Sequence, residues 1–482
     1  MNTYIGIDLG TSSVKLLLVA PDGSILNSVT KEYPIYYPQS GWSEQNPEDW
    51  LKATVTGLDE LLNGHTRYEV KGLSFGGQMH GLVILDEQDN VIRPAILWND
   101  GRTQKQTDYL NEAVGKEKLS QYTANIAFAG FTAPKILWVK ENEPENFAKI
   151  AKIMLPKDYL AYKLTGIHST DYSDASGTLL LDVQNKCWSK EMCKLCFVDE
   201  KWLPKLFESY ECIGQVRDEY NLPCAIVTAG AGDNAAAAIG TGTVKNGDCN
   251  ISLGTSGTVF ISQDAFSVDE NNSLHSFAHA TGKYHLMGCI LSAASCNKWW
   301  MEEILQTKDF AKEQEGLEDG LGENEVYFLP YLMGERSPHN DVNARGCFIG
   351  MRPDTTRAQM TLAVMEGVAF ALRDCLEVAK TSGLSIECTK ICGGGAKSLI
   401  WKKIIANAFG FPVCVLAAEE GPAYGAAILA MVGAKEYPSI DVAAQSMITV
   451  KEVLFPTQAL VEKYEKRYAK FRQLYPALKN VF

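Results

Sequence analysis

The 482-residue sequence predicts an α/β protein made of two related halves with a cleft between them. The first sign is a hairpin pattern that occurs twice. Ile5-Gly6-Ile7-Asp8-Leu9-Gly10-Thr11-Ser12-Ser13-Val14-Lys15-Leu16 near the start is matched past the middle by Cys249-Asn250-Ile251-Ser252-Leu253-Gly254-Thr255-Ser256-Gly257-Thr258-Val259-Phe260. Each copy is an apolar run, a Gly-Thr-Ser turn and a second apolar run. The second sign is that short apolar runs alternate with helical patterns beyond each hairpin. The third is a flexible, glycine-rich link from Gly240 to Gly247, which divides the chain into 1–246 and 247–482.

The elements of the first half follow from local signals. Residues 14–19 continue the hairpin as a strand, turn at Pro21-Asp22-Gly23, and 24–33 complete a meander. Pro47, with Glu48 and Asp49 behind it, opens a helix towards Leu62, because proline suits a first helical turn and acidic residues suit its positive end. Residues 70–75 read as a buried strand ending at Gly76-Gly77, 82–85 as another, and Ile96-Leu97-Trp98 as an apolar run ending in Asn99-Asp100-Gly101-Arg102. From about 104 to 216 the pattern is mostly helical, with starts at Pro134 and Pro156 and a stop near Gly166. Ser173-Asp174-Ala175-Ser176-Gly177 reads as a loop that lines a cleft, or equally as a plain helix or turn cap. A strand at 225–228 then leads through Ala229-Gly230-Ala231-Gly232 to Asp233-Asn234 and an alanine-rich helix.

In the second half, His275, His279 and His285 fall in a stretch of strand-like alternation, which favours strand pairing over metal ligation. Residues 292–305 and 360–378 read as helices, with an extended loop from 328 to 338 between them. Residues 390–392 form a strand that turns at Gly393-Gly394-Gly395 into a helix over 398–409. Glu420-Gly421-Pro422 opens another helix, and 461–482 is a charged helix without a visible site.

Bulk properties narrow the function. A formal net charge of −13 disfavours nucleic acid and anionic membranes as partners. The N-terminus lacks a signal-peptide pattern, and no apolar run reaches the roughly 18 residues of a membrane span. Thirteen scattered cysteines read as reduced cytoplasmic thiols, including Cys193 and Cys196, whose spacing alone does not make a zinc site.

The hairpin turns carry the first chemistry. Their amides and hydroxyls converge on one point and can hold a phosphate. A strand rather than a helix follows Gly10, so neither a dinucleotide fingerprint nor a P-loop fits, and Ala396 breaks the Gly-Lys step that a P-loop needs after Gly393-Gly394-Gly395. Aligning the two hairpins sets Asp8 opposite Ser252, so one carboxylate has no counterpart and is placed to hold Mg²⁺. Gly393-Gly394-Gly395 before a helix presents bare amides to a nucleotide. Asp233, after a glycine run, is placed to take a proton from an attacking hydroxyl, although it also fits a plain helix cap. Gln78, Met79 and His80, with Trp98, Asp100 and Arg102, gather at two strand ends and suit a polyhydroxylated ligand. Taken singly, His80 also fits a structural histidine and Trp98 a core ring.

At these residues the sequence resembles the FGGY family of sugar kinases. The resemblance rests on Asp8-Leu9-Gly10-Thr11-Ser12, Gly254-Thr255-Ser256 and Gly393-Gly394-Gly395, on Thr132, Lys135 and Trp138 within 130–142, and on Gly346-Cys347-Phe348-Ile349-Gly350 leading to Glu366-Gly367. It implies two actin-like (ribonuclease H-like) ATPase domains with a central cleft. The segments 78–81, 96–102 and 232–234 are most similar to members that phosphorylate D-xylulose at its terminal O5. On that resemblance Gln78, Met79, His80, Trp98, Asp100, Arg102, Asp233 and Asn234 surround the sugar, and Asp233 is the base. Thr11, Ser12, Lys15, Gly254, Thr255, Ser256, Gly394, Gly395, Ala396 and Asn407 line the nucleotide, and Asp8 holds Mg²⁺. The expected partners are ATP and a small-molecule sugar, in a cytoplasmic homodimer without nucleic acid or membrane. Another ketose, polyol or sugar acid is the alternative substrate, and a non-sugar actin-like ATPase the weaker one.

Overall fold

A computed structural model describes residues 1–64, 68–417 and 420–482. Among these residues two seven-stranded sheets are built on one plan. In the first, strands Asn2–Leu9, Ser13–Val19 and Ile25–Glu32 form an antiparallel meander. Glu69–Gly77 lies parallel on the other side of Asn2–Leu9, with Ile226–Thr228 parallel beyond it. In the second, Cys249–Leu253, Gly257–Gln263 and Tyr284–Ile290 repeat the meander, and Thr389–Cys392 and Val413–Leu416 repeat the parallel extension. This shared order is that of two actin-like, ribonuclease H-like halves: the duplicated hairpin predicts the repeat, and the family resemblance implies its fold.

The sequence explains the placement of each layer. Asn2–Leu9 is buried along nearly its whole length, and reads as a continuous apolar run because both faces are covered. Ile25–Glu32 is mostly open to solvent on the sheet's edge, and its polar residues fit that position. Helix Pro47–Leu62 starts at its proline, with the Asn46 side chain accepting from the Glu48 amide, and buries Trp50, Ala53, Thr54, Gly57, Leu58 and Leu61 along one stripe.

Helix Gly421–Gly433 joins the halves. It packs on strands Asn2–Leu9 and Glu69–Gly77 and on helix Asp233–Gly240. The approach leaves no room for side chains: a Cβ on Gly6 would lie 1.8 Å from the Ala423 carbonyl oxygen, and one on Gly425 1.8 Å from that of Ala236. The C-terminal helix Gln458–Leu478 is fastened to the long helix Arg357–Lys380 through buried Glu366, which accepts from Arg467 at 2.6 Å and from the Tyr464 hydroxyl at 2.9 Å.

Several local expectations need correction. Of the two readings of 173–177 the helix holds and the loop does not: residues 172–176 are a short helix, because the Asp171 carboxylate caps the amides of Ser173 and Asp174. The helix expected from Pro134 begins two residues earlier, at Thr132. The apolar run at 96–98 is strand only over Ala95–Ile96. The glycine-rich link is not loose: residues 240–244 are mostly buried, and Gly240 packs against the carbonyl of Gly421.

Candidate active site

Asp233 is the first residue of helix Asp233–Gly240, reached from the short strand Ala231–Gly232 that pairs with Gly76 and Gly77. Its Oδ1 accepts from the Asn234 amide at 2.7 Å and from Asn234 Nδ2 at 2.9 Å. Burial raises its pKa to about 6, and the Asn234 bonds oppose that rise by favouring the carboxylate. Behind it runs a fully buried polar chain. The Gly232 amide donates to Ser173 Oγ at 3.2 Å, Ser173 Oγ donates to Asp171 Oδ2 at 2.5 Å, and Asp171 Oδ1 pairs with Lys157 at 2.9 Å. Lys157 also pairs with Asp158 at 2.7 Å. Burial works against the charge on Lys157, but the carboxylates of Asp158, Asp171 and Asp174 outweigh it and keep the ammonium protonated. The chain holds the backbone that presents Asp233.

His80 lies just past the end of strand Glu69–Gly77, next to Met79, whose side chain packs on Gly232 before Asp233. Its backbone is left-handed, with φ of 69°, a strained placement for a non-glycine residue that follows from the ring's fixed partners. Nδ1 lies 2.7 Å from the Gly177 carbonyl oxygen, so Nδ1 carries the proton and Nε2 is left as an acceptor. Burial, with the nearby Lys135 ammonium, lowers its pKa to about 3, so the ring is neutral at physiological pH. It stacks on Phe131 at 4.6 Å, and Lys135 and Thr132 bind its carbonyl at 2.8 and 3.0 Å. Met79 fills the space between Gly177 and Gly232, and a Cβ at Gly232 would meet its sulfur at 3.0 Å. Trp98 is partly exposed and donates its indole N–H to Thr11 Oγ1 at 3.0 Å. Gln45 ties the same corner together, donating to the Thr11 carbonyl at 2.7 Å and accepting from Gln78 at 3.0 Å.

Asp8 is the next-to-last residue of its strand, paired with Lys15 across the hairpin and beside Gly76. Burial, then the neighbouring Asp233 carboxylate, raises its pKa to about 7, while Lys15 pulls the other way. Lys15 itself is ion-paired with Glu420. Two carboxylates that raise each other's cost of ionisation in a buried site are chemically suited to a hard divalent cation, and Mg²⁺ is commonly held by one or two carboxylates plus substrate phosphates. Among the described residues no group of three His, Cys, Asp or Glu side chains could hold a metal without such help.

The second hairpin turn, Gly254-Thr255-Ser256, is at the surface, and the Gly393–Gly395 turn is pressed onto it. Gly393 has φ of 90°, and a Cβ there would meet the Leu253 carbonyl at 2.7 Å, so only glycine allows the two turns to meet. Nothing lies within 4 Å of a Cβ position on Gly394, which leaves its backbone open.

Three sequence-predicted residues are not brought to these open faces. The Arg102 side chain is 1% exposed, with its guanidinium bound to Asp100 at 2.7 and 2.9 Å and to Glu44 at 2.7 Å, and lies 3.7 Å over the Trp42 ring. Asp100 is equally enclosed and also accepts from the Ser43 amide at 2.6 Å. The pair is a buried brace under the site. Asn407 is buried on helix Leu399–Phe409, its Nδ2 donating to the Lys403 carbonyl and its Oδ1 accepting from the Thr457 amide. Cys193 and Cys196 are buried thiols, with Cys193 pushed up to about 12 by burial, so neither is a ready thiolate. The histidines of the second sheet sit among rings: His275 stacks on Phe277 at 5.3 Å, and His279 bonds the Thr243 carbonyl and the Thr281 amide.

Sequence reasoning missed Gln45, the Lys157 group and Arg336, whose guanidinium lies 5.2 Å over the Phe128 ring. The run Lys157-Asp158 with Asp171 and Asp174 carried one usable signal, since so many charges in otherwise apolar segments must pair inside the fold.

The chain belongs to the FGGY family of carbohydrate kinases: the model of the family's N-terminal domain matches residues 3–240 and that of its C-terminal domain residues 249–434. Its similarity extends to individual members over the whole length. It is 37% identical to the xylulose kinase of Bacillus subtilis strain 168, covering 100% of this chain and 98% of the relative. It is 38% identical to the xylulose kinase of Escherichia coli K12, covering 98% and 99%. A crystal structure of a xyloylose kinase from Brucella ovis superposes with a TM-score of 0.95 at 39% identity, covering 100% of both chains.

Proposed function

We propose that the protein is a xylulose kinase, transferring the γ-phosphoryl group of ATP to O5 of D-xylulose, with Asp233 as general base. The observation that carries this reading is Asp233 itself, a half-buried carboxyl near a second carboxyl, Asp8, at the edge of a ring-lined polar site. A base of pKa about 6 is mostly ionised at neutral pH and close enough to a proton's demand to accept it as O5 attacks. His80 Nε2 accepts a hydroxyl proton of the sugar, Asn234 orients the base, and the Trp98 indole gives the carbon chain a flat wall. Thr11, Ser12 and Lys15, with Gly254, Thr255, Ser256, Gly394, Gly395 and Ala396, hold the nucleotide by backbone amides and hydroxyls. Mg²⁺, when bound with ATP, is held by Asp8 and supplies neutralising charge to the phosphates. The two lobes are 1–246 and 247–482. The protein works in the cytoplasm, where its thirteen cysteines stay reduced, and as a homodimer. No helix among the described residues is long and apolar enough to cross a membrane.

The test is ADP release from Mg-ATP with D-xylulose, D-ribulose, L-ribulose, gluconate and glycerol, alongside Asp233→Ala. D-Xylulose should be the best substrate, and loss of the base should lower kcat by about 10²–10⁴. A different preferred sugar overturns the substrate assignment, and undiminished turnover in the variant overturns the base.

A further inference from the structure

Arg336 follows the second sheet's meander in sequence yet reaches the sugar cluster of the first half. Its guanidinium stands over Phe128, which packs edge-on against Phe131 at 5.3 Å and against His275 at 5.2 Å, while Phe131 stacks on His80. The positive charge is felt at both His80 and His275 and helps keep each neutral. Its backbone is fixed. The Arg336 amide donates to Glu335 Oε1 at 2.8 Å, the same oxygen takes the Leu291 amide at 2.9 Å, and the Ser337 amide donates to the Cys289 carbonyl at 3.0 Å. The guanidinium is half-buried, yet among the described residues it makes no hydrogen bond and no ion pair. Arg93 and Arg102, also near the first half's rings, are both ion-paired with carboxylates. Glu335 makes no ion pair with Arg336 among the described residues: its Oε1 is taken by the two backbone amides, and burial raises its carboxyl to about 8 although the Arg336 charge pulls the other way.

A fixed, half-buried fork of donors without an acceptor is completed by a ligand. The chemistry of the substrate identifies the acceptor. A 2-ketopentose closes its ring through O5, so a molecule phosphorylated on O5 must be bound open-chain, with its C2 ketone free. A ketone oxygen can only accept hydrogen bonds and a guanidinium can only donate them, whereas His80 Nε2 is an acceptor that suits a hydroxyl. We propose that Arg336 is a substrate-binding, specificity-determining residue that donates to the C2 ketone oxygen of the open-chain ketose, at the end of the sugar remote from Asp233. The proposal rests on the reading of this site as a ketose site. It distinguishes a ketose from the pentitol of the same carbon chain, whose C2 hydroxyl can turn and satisfy itself elsewhere.

The experiment compares the wild type with Arg336→Met and Arg336→Lys, measuring KM and kcat for D-xylulose and inhibition constants for xylitol and D-arabinitol. Thermal melting of each variant checks its fold. Arg336→Met should raise KM for D-xylulose at least tenfold with a smaller change in kcat, leave the pentitol inhibition constants within about twofold, and melt close to the wild type, with Arg336→Lys in between. Equal weakening of ketose and pentitols, or an unchanged KM, overturns the role of Arg336 alone. Failure of the wild type to phosphorylate D-xylulose overturns both this inference and the reading beneath it.

Discussion

Replacing Asn234 by alanine should move the acid limb of the pH–rate profile upward by about one unit. The Asp233 carboxyl is set at about 6 by burial, which favours the neutral acid, against two bonds from Asn234, which favour the carboxylate. The variant keeps the amide bond at 2.7 Å and loses the Nδ2 bond at 2.9 Å. A hydrogen bond to a charged acceptor is worth about 1.5–3 kcal/mol, and one pKa unit is about 1.4 kcal/mol, so the full loss would be about one to two units. Asp233 is not fully enclosed, and water entering the gap recovers part of this, which places the expected shift at the lower end. The part of the kcat/KM limb set by Asp233, at about 6 in the wild type, should therefore move up by about one unit in Asn234→Ala. The assay is direct chromatographic measurement of ADP from pH 4.5 to 9, avoiding coupling enzymes with pH limits of their own. Asp8 titrates in the same range, at about 7, but Asn234 bonds Asp233, so a shift of the limb reports the base. A wild-type limb near the ordinary carboxylate value, or a limb that Asn234→Ala leaves in place or moves down, would refute the assignment.

Two further substitutions test the frame behind the base. Ser173→Ala removes the hydroxyl that bridges the Gly232 amide and the Asp171 carboxylate, and should cost about 1–3 kcal/mol in urea unfolding while lowering kcat severalfold more than it raises KM. A loss of stability with untouched kcat would make that chain purely structural. Gly425→Ala should destabilise by about 3 kcal/mol, because the new methyl would fall 1.8 Å from the Ala236 carbonyl oxygen between two helices that cannot both move; a near-wild-type urea midpoint would show the helix pair to be looser than this.

What was legible in the sequence was what short segments decide alone. The ends of helices Pro47–Leu62 and Pro156–Thr165 were readable because proline starts and a left-handed Gly166 stop act within one turn. The duplicated hairpins were readable because strand, turn and strand are contiguous. Asp100 and Arg102 were misplaced for the opposite reason. A polar cluster at a strand end can face a ligand or a neighbour, and here Glu44 and Trp42, from the segment before the first helix, had already taken Arg102, while Arg102 and the Ser43 amide had taken Asp100. Asn407 was lost the same way, to a carbonyl one turn back and to the amide of Thr457. Arg336 was invisible because its meaning depends on Phe128 and His80, which lie about 200 and 250 residues away in the chain.

The asymmetry between the two halves has a physical reason. Asp8 and Ser252 occupy the same position in their sheets, each next to last in its first strand and each beside the matching parallel strand, at Gly76 and at Cys392. Duplicating the fold gives two turns of amides and hydroxyls, which suits a polyphosphate. Duplicating the carboxylate would not. Asp8 already sits near Asp233 in a buried site, and the two together lift Asp8 to about 7. On the proposed reading, a third carboxylate at residue 252, beside the turn assigned to the phosphates, would repel the anionic substrate and raise the neighbouring pKa values further. On that reading, serine at that position keeps one half electrostatically neutral where phosphate would lie, and leaves the acid and base chemistry to the half proposed to hold the sugar.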